Sequence, residues 1–153
     1  MTEIKYEINI NAPVDRVFEY YTNPDNIKKA WPQDIVKESE SISESKNEEG
    51  SEMKVKGEYM GREEEMTLEV IEKEQNKRLV TEQKEGPFKQ WKSIQVFEQG
   101  NNGNNTNVRH EIEYELPTTG KIANFLSGDQ ANNKIQQGLQ QAAQTVKQKL
   151  ESA

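Results

Sequence analysis

The sequence predicts an α+β fold: a curved antiparallel sheet of about seven strands wrapped around a long C-terminal helix, with two short helices between strands 1 and 2. Three observations carry this. Apolar and charged residues alternate with a period of two over residues 4–10, and again across about eighty residues from Asp34 onward. Between these, the stretch INAPVDRVFEYYTNPDNIKKAWP (residues 10–32) changes to helical spacing. After Leu116-Pro117 the β pattern ends, and Ile135, Leu139, Ala142, Val146 and Leu150 recur every three or four residues.

In the first strand Ile4, Tyr6, Ile8 and Ile10 alternate with Glu3, Lys5, Glu7 and Asn9, giving one dry and one wet face. Pro13 suits the first position of a helix, because its missing N–H would have no partner there. Val14, Val17, Phe18 and Tyr21 then form one apolar stripe. Asn23-Pro24 repeats the start signal for a second short helix, Ile27 and Trp31 supply its inner face, and Pro32 blocks its continuation.

Three later strands are clear from their inward sets: Met53, Val55, Gly57 and Tyr59; Met66, Leu68 and Val70; and Val108, His110, Ile112 and Tyr114. Three more, near residues 35–44, 78–85 and 90–99, alternate less cleanly. Turns are expected at residues 47–50, Gly61-Arg62, Asn76-Lys77, Gly86-Pro87 and the GNNGNN run at 100–105. The last helix is expected from near Lys121 to Leu150, roughly 45 Å long, with Gly128 as a kink or a fresh start. With few flanking charges and a short repeat, its stripe is expected to lie on the sheet rather than in a coiled coil.

At 153 residues the chain fits a single domain spanning 1–153. Hydrophobic residues are 31% and charged residues another 31%, a balance close to that of disordered chains. The periodicity argues otherwise: a sheet with one solvated face, covered by one helix, needs few apolar residues. The net charge of −7 repels phosphate backbones and anionic membrane surfaces, so nucleic acid is not an expected partner. The absence of cysteine excludes disulfides, thiolate nucleophiles and thiolate metal sites, and no metal or other cofactor is expected. MTEIKYEINI lacks the basic start and apolar run of a signal peptide, and no stretch approaches the roughly 20 apolar residues of a membrane span. The expectation is a cytoplasmic protein without membrane insertion.

A twisted sheet of this size curls, and a helix of roughly 10 Å diameter cannot fill the concavity. Large side chains or a ligand must do so. Trp31 stands where the second helix meets the sheet, either walling a pocket or stapling the helix to the core. Met53, Val55, Tyr59, Met66, Leu68 and Ile112 point inward by pattern, and Trp91 and Phe125 are further candidates for the lining. Phe88, beside the Gly86-Pro87 turn, is expected to be an exposed or edge-packed turn residue rather than a gate. His110 is the only histidine and points inward with Val108 and Ile112. It suits a general base, a ligand hydrogen bond, or a hydrogen-bonded core imidazole. Tyr59 and Tyr114 share the inward pattern, and buried hydroxyls need partners. Glu63-Glu64-Glu65 reads as a solvated charge run.

The order strand, helix, helix, six strands, long helix, with APVDRVFEYYTNPDNIKKAWP at the start and YELPTTGKIANFL leading into the last helix, resembles the START-related SRPBCC superfamily. The similarity is to its polyketide cyclase/dehydrase and lipid-transport-like members. It covers nearly all of the chain and is most specific in the alanine-proline opening, the valine-aromatic helix and the asparagine-proline second helix. It implies a helix-grip fold with a cavity between sheet and final helix for apolar or amphipathic small molecules. No single chemistry is implied, since the superfamily includes carriers, receptors, cyclases, hydroxylase subunits and chaperone activators. The expected function is binding or transport of a small hydrophobic or amphipathic molecule, lipid- or polyketide-like. One alternative is a cyclase/dehydratase in which His110 and Tyr59 or Tyr114 move protons. Another is an interaction module similar to the Hsp90 activators, whose signature would be an exposed apolar patch.

Overall fold

The computed structural model describes residues 1–43, 48–59, 62–117 and 128–152, with only the backbone of Tyr59. The chain runs β1 (Thr2–Ile10), α1 (Val14–Thr22), a 3-10 turn (Pro24–Asn26), α2 (Ile27–Ala30), β2 (Glu38–Ser41), β3 (Glu52–Tyr59), β4 (Arg62–Glu74), β5 (Arg78–Glu85), β6 (Gln90–Gln99), β7 (Thr106–Glu115) and α3 (Gly128–Glu151). The seven strands form one antiparallel sheet of order β1-β7-β6-β5-β4-β3-β2. This is the helix-grip fold.

β1 and β2 therefore lie at opposite edges of the sheet, and the two short helices carry the chain from one edge to the other. Local chemistry fixes their ends. Pro13 caps α1 in extended conformation, and the Asn23 side chain accepts from the Asp25 N–H at 3.1 Å to open the 3-10 turn. α1 docks on β6 through Phe18, whose ring meets Phe97 edge-on at 5.0 Å. Buried Ser39 on β2 ties down the next segment: its hydroxyl donates to the Pro24 carbonyl at 2.6 Å and accepts from the Lys28 N–H at 3.1 Å.

The strand expected at 35–44 is shorter, at 38–41, because the Ile35 and Val36 N–H groups both fold back onto the Pro32 carbonyl at 2.9 Å. The turn then crosses β3 where that strand carries no side chain. A Cβ at Gly57 would lie 1.7 Å from the Ile35 carbonyl oxygen, the group that accepts from the Glu58 N–H at 3.1 Å. β4 extends beyond the expected 65–70 at both ends and is bulged between Val70 and Glu72. Asn76, at φ 62°, makes the β4–β5 turn.

α3 presents Ala131, Leu139, Ala142, Ala143, Val146 and Leu150 as its buried stripe. It is described from Gly128, so the expected onset at Lys121 lies outside the described residues. Its C-terminal end is clamped to the start of the chain: Lys147 Nζ donates to the Asn9 carbonyl at 2.7 Å, and the Asn11 N–H donates to Glu151 Oε2 at 2.8 Å.

Candidate functional site

A cavity of about 160 Å³ lies between the concave face of the sheet, α3 and the two short helices. α3 contributes Ile135, Leu139, Ala142 and Val146; the short helices and their ends contribute Tyr21, Ile27 and Trp31. The sheet contributes Met53, Val55, Met66, Leu68, Trp91, His110 and Ile112, bringing eight of the candidate lining residues, with Trp31, around one space. Of the remaining two, Tyr59 is described by backbone alone and Phe125 lies outside the described residues. Trp31 has both expected roles, since its ring lines the cavity and packs against the apolar core.

Phe88 differs from expectation. It is 5% exposed, lines the cavity, and packs with Trp91 at 4.7 Å and Tyr114 at 5.9 Å between ring centroids. The cause is Gln83, whose side-chain amide donates to the Phe88 carbonyl at 2.7 Å and accepts from the Phe88 N–H at 3.2 Å, acting as a substitute ladder that folds the turn inward. Tyr114 closes that end, its hydroxyl donating to Asn132 Oδ1 on α3 at 3.1 Å.

The floor is polar at its centre. Tyr6, His110 and Gln95 stand directly opposite one another across β1, β7 and β6, and Ile112, Ser93 and Thr81 form the next row across β7, β6 and β5. Opposite residues are about 5 Å apart at Cβ. His110, Gln95, Ser93 and Thr81, all lining the cavity, therefore make one contiguous polar island on the sheet floor of a mostly apolar space. Sequence reasoning missed Gln95, Ser93, Thr81 and the facing Tyr21. The available signal was the imperfect alternation of β5 and β6, where polar residues occupy inward positions next to Leu79, Trp91 and Phe97.

The family model "Polyketide cyclase / dehydrase and lipid transport" matches residues 1–151. The chain belongs to this family. It thereby falls within the START-related SRPBCC superfamily its sequence resembles. Among solved structures, the protein TTHA0849 from Thermus thermophilus superposes with a TM-score of 0.80 at 20% identity, covering 99% of this chain and 98% of that one. A START superfamily protein from Mycobacterium smegmatis follows at 0.77 and 11%, covering 98% and 97%. The ZhuI aromatase/cyclase from Streptomyces sp. R1128 gives 0.76 and 14%, covering 98% and 93%. At these identities the likeness is one of fold. No protein of curated description matches. Among the described residues no helix is long and apolar enough to cross a membrane.

Within a family that spans both carriage and conversion, the protonation of the polar groups matters. His110 is 3% exposed; its Nε2 lies 3.2 Å from the Tyr21 hydroxyl, and its buried Nδ1 has no partner among the described residues. Burial holds the imidazole down to about 4 and pushes the Tyr21 hydroxyl well above the ordinary phenol range. Both groups are thus neutral near pH 7. The charged side chains of the lining, Glu58 and Lys134, belong to β3 and α3, away from this pair.

Proposed function

We propose that this member of the polyketide cyclase/dehydrase and lipid transport family binds a small amphipathic molecule in the cavity between sheet and α3, holding it rather than converting it. The observation that carries this reading is the mostly apolar cavity with a polar island on its floor, the arrangement that buries a hydrophobic body and orients one polar group. A volume of about 160 Å³ is at the scale that fits a ring-sized guest, near the roughly 150 Å³ of cavities that take up benzene. The candidate residues Trp31, Met53, Val55, Met66, Leu68, Trp91, His110 and Ile112 would supply the contact surface. The same reading takes residues 1–153 as one ligand-binding domain, working in the cytoplasm without nucleic acid.

The protonation states favour holding over cyclisation or dehydration. A general acid or base works best with a pKa near the working pH, whereas desolvation drives the His110 and Tyr21 values apart and away from it. An interaction module is disfavoured as well. Among the described residues the exposed large apolar side chains are Met1, Ile42 and Ile71, at one edge, beside the other edge and on β4, so they form no patch.

Native mass spectrometry of the protein purified from cells tests the proposal. A co-bound, low-mass apolar species is the expected result. A bare protein whose tryptophan fluorescence also ignores neutral aromatic guests would overturn it. Turnover abolished in His110→Ala with guest affinity intact would favour the enzyme instead.

A further inference from the structure

The Tyr21–His110 pair specifies which atom of the guest the cavity recognises. The neutral imidazole carries one proton, on either nitrogen. With the proton on Nε2, the ring donates to Tyr21, and two buried groups are then left unpaired: the Tyr21 hydroxyl hydrogen, which has no other partner among the described residues, and the Nδ1 lone pair. With the proton on Nδ1, Tyr21 donates to Nε2, and a single group is unpaired, the Nδ1–H. Fewer buried unpaired groups favour the second tautomer. The Nδ1–H left over is a buried donor without an acceptor, the kind of group a bound molecule can satisfy.

The residue that carries this donor belongs to the polar island, with Gln95 directly opposite and Ser93 and Thr81 in the next row. Among the described residues, burial alone accounts for the lowered His110 value, with no contribution from a neighbouring charge. Glu58 is on β3, four strands from β7, or roughly 19 Å at about 4.8 Å per strand. Lys134 is on α3, ten residues before Gln144, the residue that bonds Tyr6. An ionised group over the island would find no charged side chain among the island's own residues, His110, Gln95, Ser93 and Thr81.

Resting on the binding reading above, we propose that the guest carries an uncharged acceptor oxygen, of carbonyl or ether type, that receives a hydrogen bond from His110 Nδ1–H, with Tyr21 as the positioning residue that fixes the tautomer. The guest's apolar remainder lies against Leu68, Leu139 and Val146. Nδ1 is enclosed in the structure, so the guest meets it as the imidazole turns about its soft second torsion with the Tyr21 hydroxyl following Nε2.

Two neutral probes of nearly one shape separate the possibilities: 2-acetylnaphthalene, and 2-isopropenylnaphthalene, in which a methylene group replaces the carbonyl oxygen. Nitrogen-15 NMR of the wild-type protein should show His110 with a protonated Nδ1 and an unprotonated Nε2. The Nδ1 proton should move downfield with the ketone and stay put with the hydrocarbon. The ratio of ketone to hydrocarbon affinity, read by tryptophan quenching, should fall several-fold to about tenfold in His110→Phe. Protonation at Nε2, or an Nδ1 signal that ignores the ketone because water or Gln95 satisfies it, overturns this proposal while two bound probes leave the binding reading standing. Failure of both probes to bind the wild type overturns both. Where His110→Phe does not fold, the wild-type ring signals decide alone.

Discussion

Gly138 on α3 lies against the ring of Trp31: a Cβ at position 138 would approach Trp31 Cζ3 to 2.9 Å and Ile35 Cδ1 to 2.7 Å. Helix and wall thus meet where a side chain would hold them apart. Glycine within a helix is about 1 kcal/mol worse than alanine, so Gly138→Ala gains that much locally. Overpacking against a rigid indole costs about 1–3 kcal/mol, and the expected net effect is a loss of about 1 kcal/mol with Trp31 displaced. Urea unfolding should show a lower midpoint at unchanged slope, and Trp31 emission should shift in a Trp91→Phe background. Increased stability with unaltered emission would mean that the ring yields freely.

Ser39 holds the helical segment to the sheet edge through two hydrogen bonds, to the Pro24 carbonyl and from the Lys28 N–H, while only 1% exposed. Ser39→Ala leaves a backbone acceptor and a backbone donor without that partner, at about 1–3 kcal/mol. The expected loss is about 2 kcal/mol in chemical denaturation, with weaker binding of aromatic guests because the Trp31 wall is loosened. A loss under about 0.5 kcal/mol would show that solvent takes over both bonds.

The clamp at the end of α3 should matter less. Lys147 reaches both the Asn9 carbonyl and, at 2.6 Å, Glu151, whose carboxyl is held below its ordinary pKa first by the Lys147 hydrogen bond and then by the Asn11 N–H. These groups are solvent-accessible, where solvent screens ion pairs and leaves them a small contribution. Lys147→Met should lower the melting temperature by no more than about 4 °C. The difference should shrink in roughly 1 M salt, where the screening length is about 3 Å. A larger effect that ignores salt would assign the clamp to packing of the lysine stem.

What is legible in the sequence follows the same physics. β1 and β7 are clear because their inward residues are apolar or aromatic apart from Thr106 and His110, and polar and charged residues alternate on the outer face. β5 and β6 are blurred from both sides. Thr81, Gln83, Ser93 and Gln95 occupy inward positions, where the cavity relaxes the demand for close packing, while Val80 and Ile94 pair on the outer face and are buried there. The departures from alternation thus mark the island that gives the cavity its polarity. Tyr21 is readable as part of an apolar stripe, but its bond to a histidine 89 residues away is a tertiary fact with no local signal. Phe88 escapes the sequence for the same reason, since the Gly86-Pro87 turn looks exposed until Gln83 is seen to pin it.

His110 also predicts how stability depends on pH. Its folded value is lowered from 6.5 to about 4 by burial, so between these values the unfolded chain binds a proton that the folded chain does not. Stability therefore rises with pH across that window: the contribution is complete above about pH 6.5, is lost as pH falls, and levels off below about pH 4. At about 1.4 kcal/mol per pH unit the gap corresponds to about 3 kcal/mol. Glu151 adds a loss of the same sign, but only as pH falls into the carboxylate range. Between pH 6.5 and 5 the slope is therefore expected to belong to His110, whose partner Tyr21 is pushed by burial well above the ordinary phenol range. Urea unfolding at pH 7, 6 and 5 should show a progressive decline for the wild type and a nearly flat profile for His110→Phe. An identical slope in the variant would place the titrating group elsewhere and remove the desolvated imidazole from the account of this cavity.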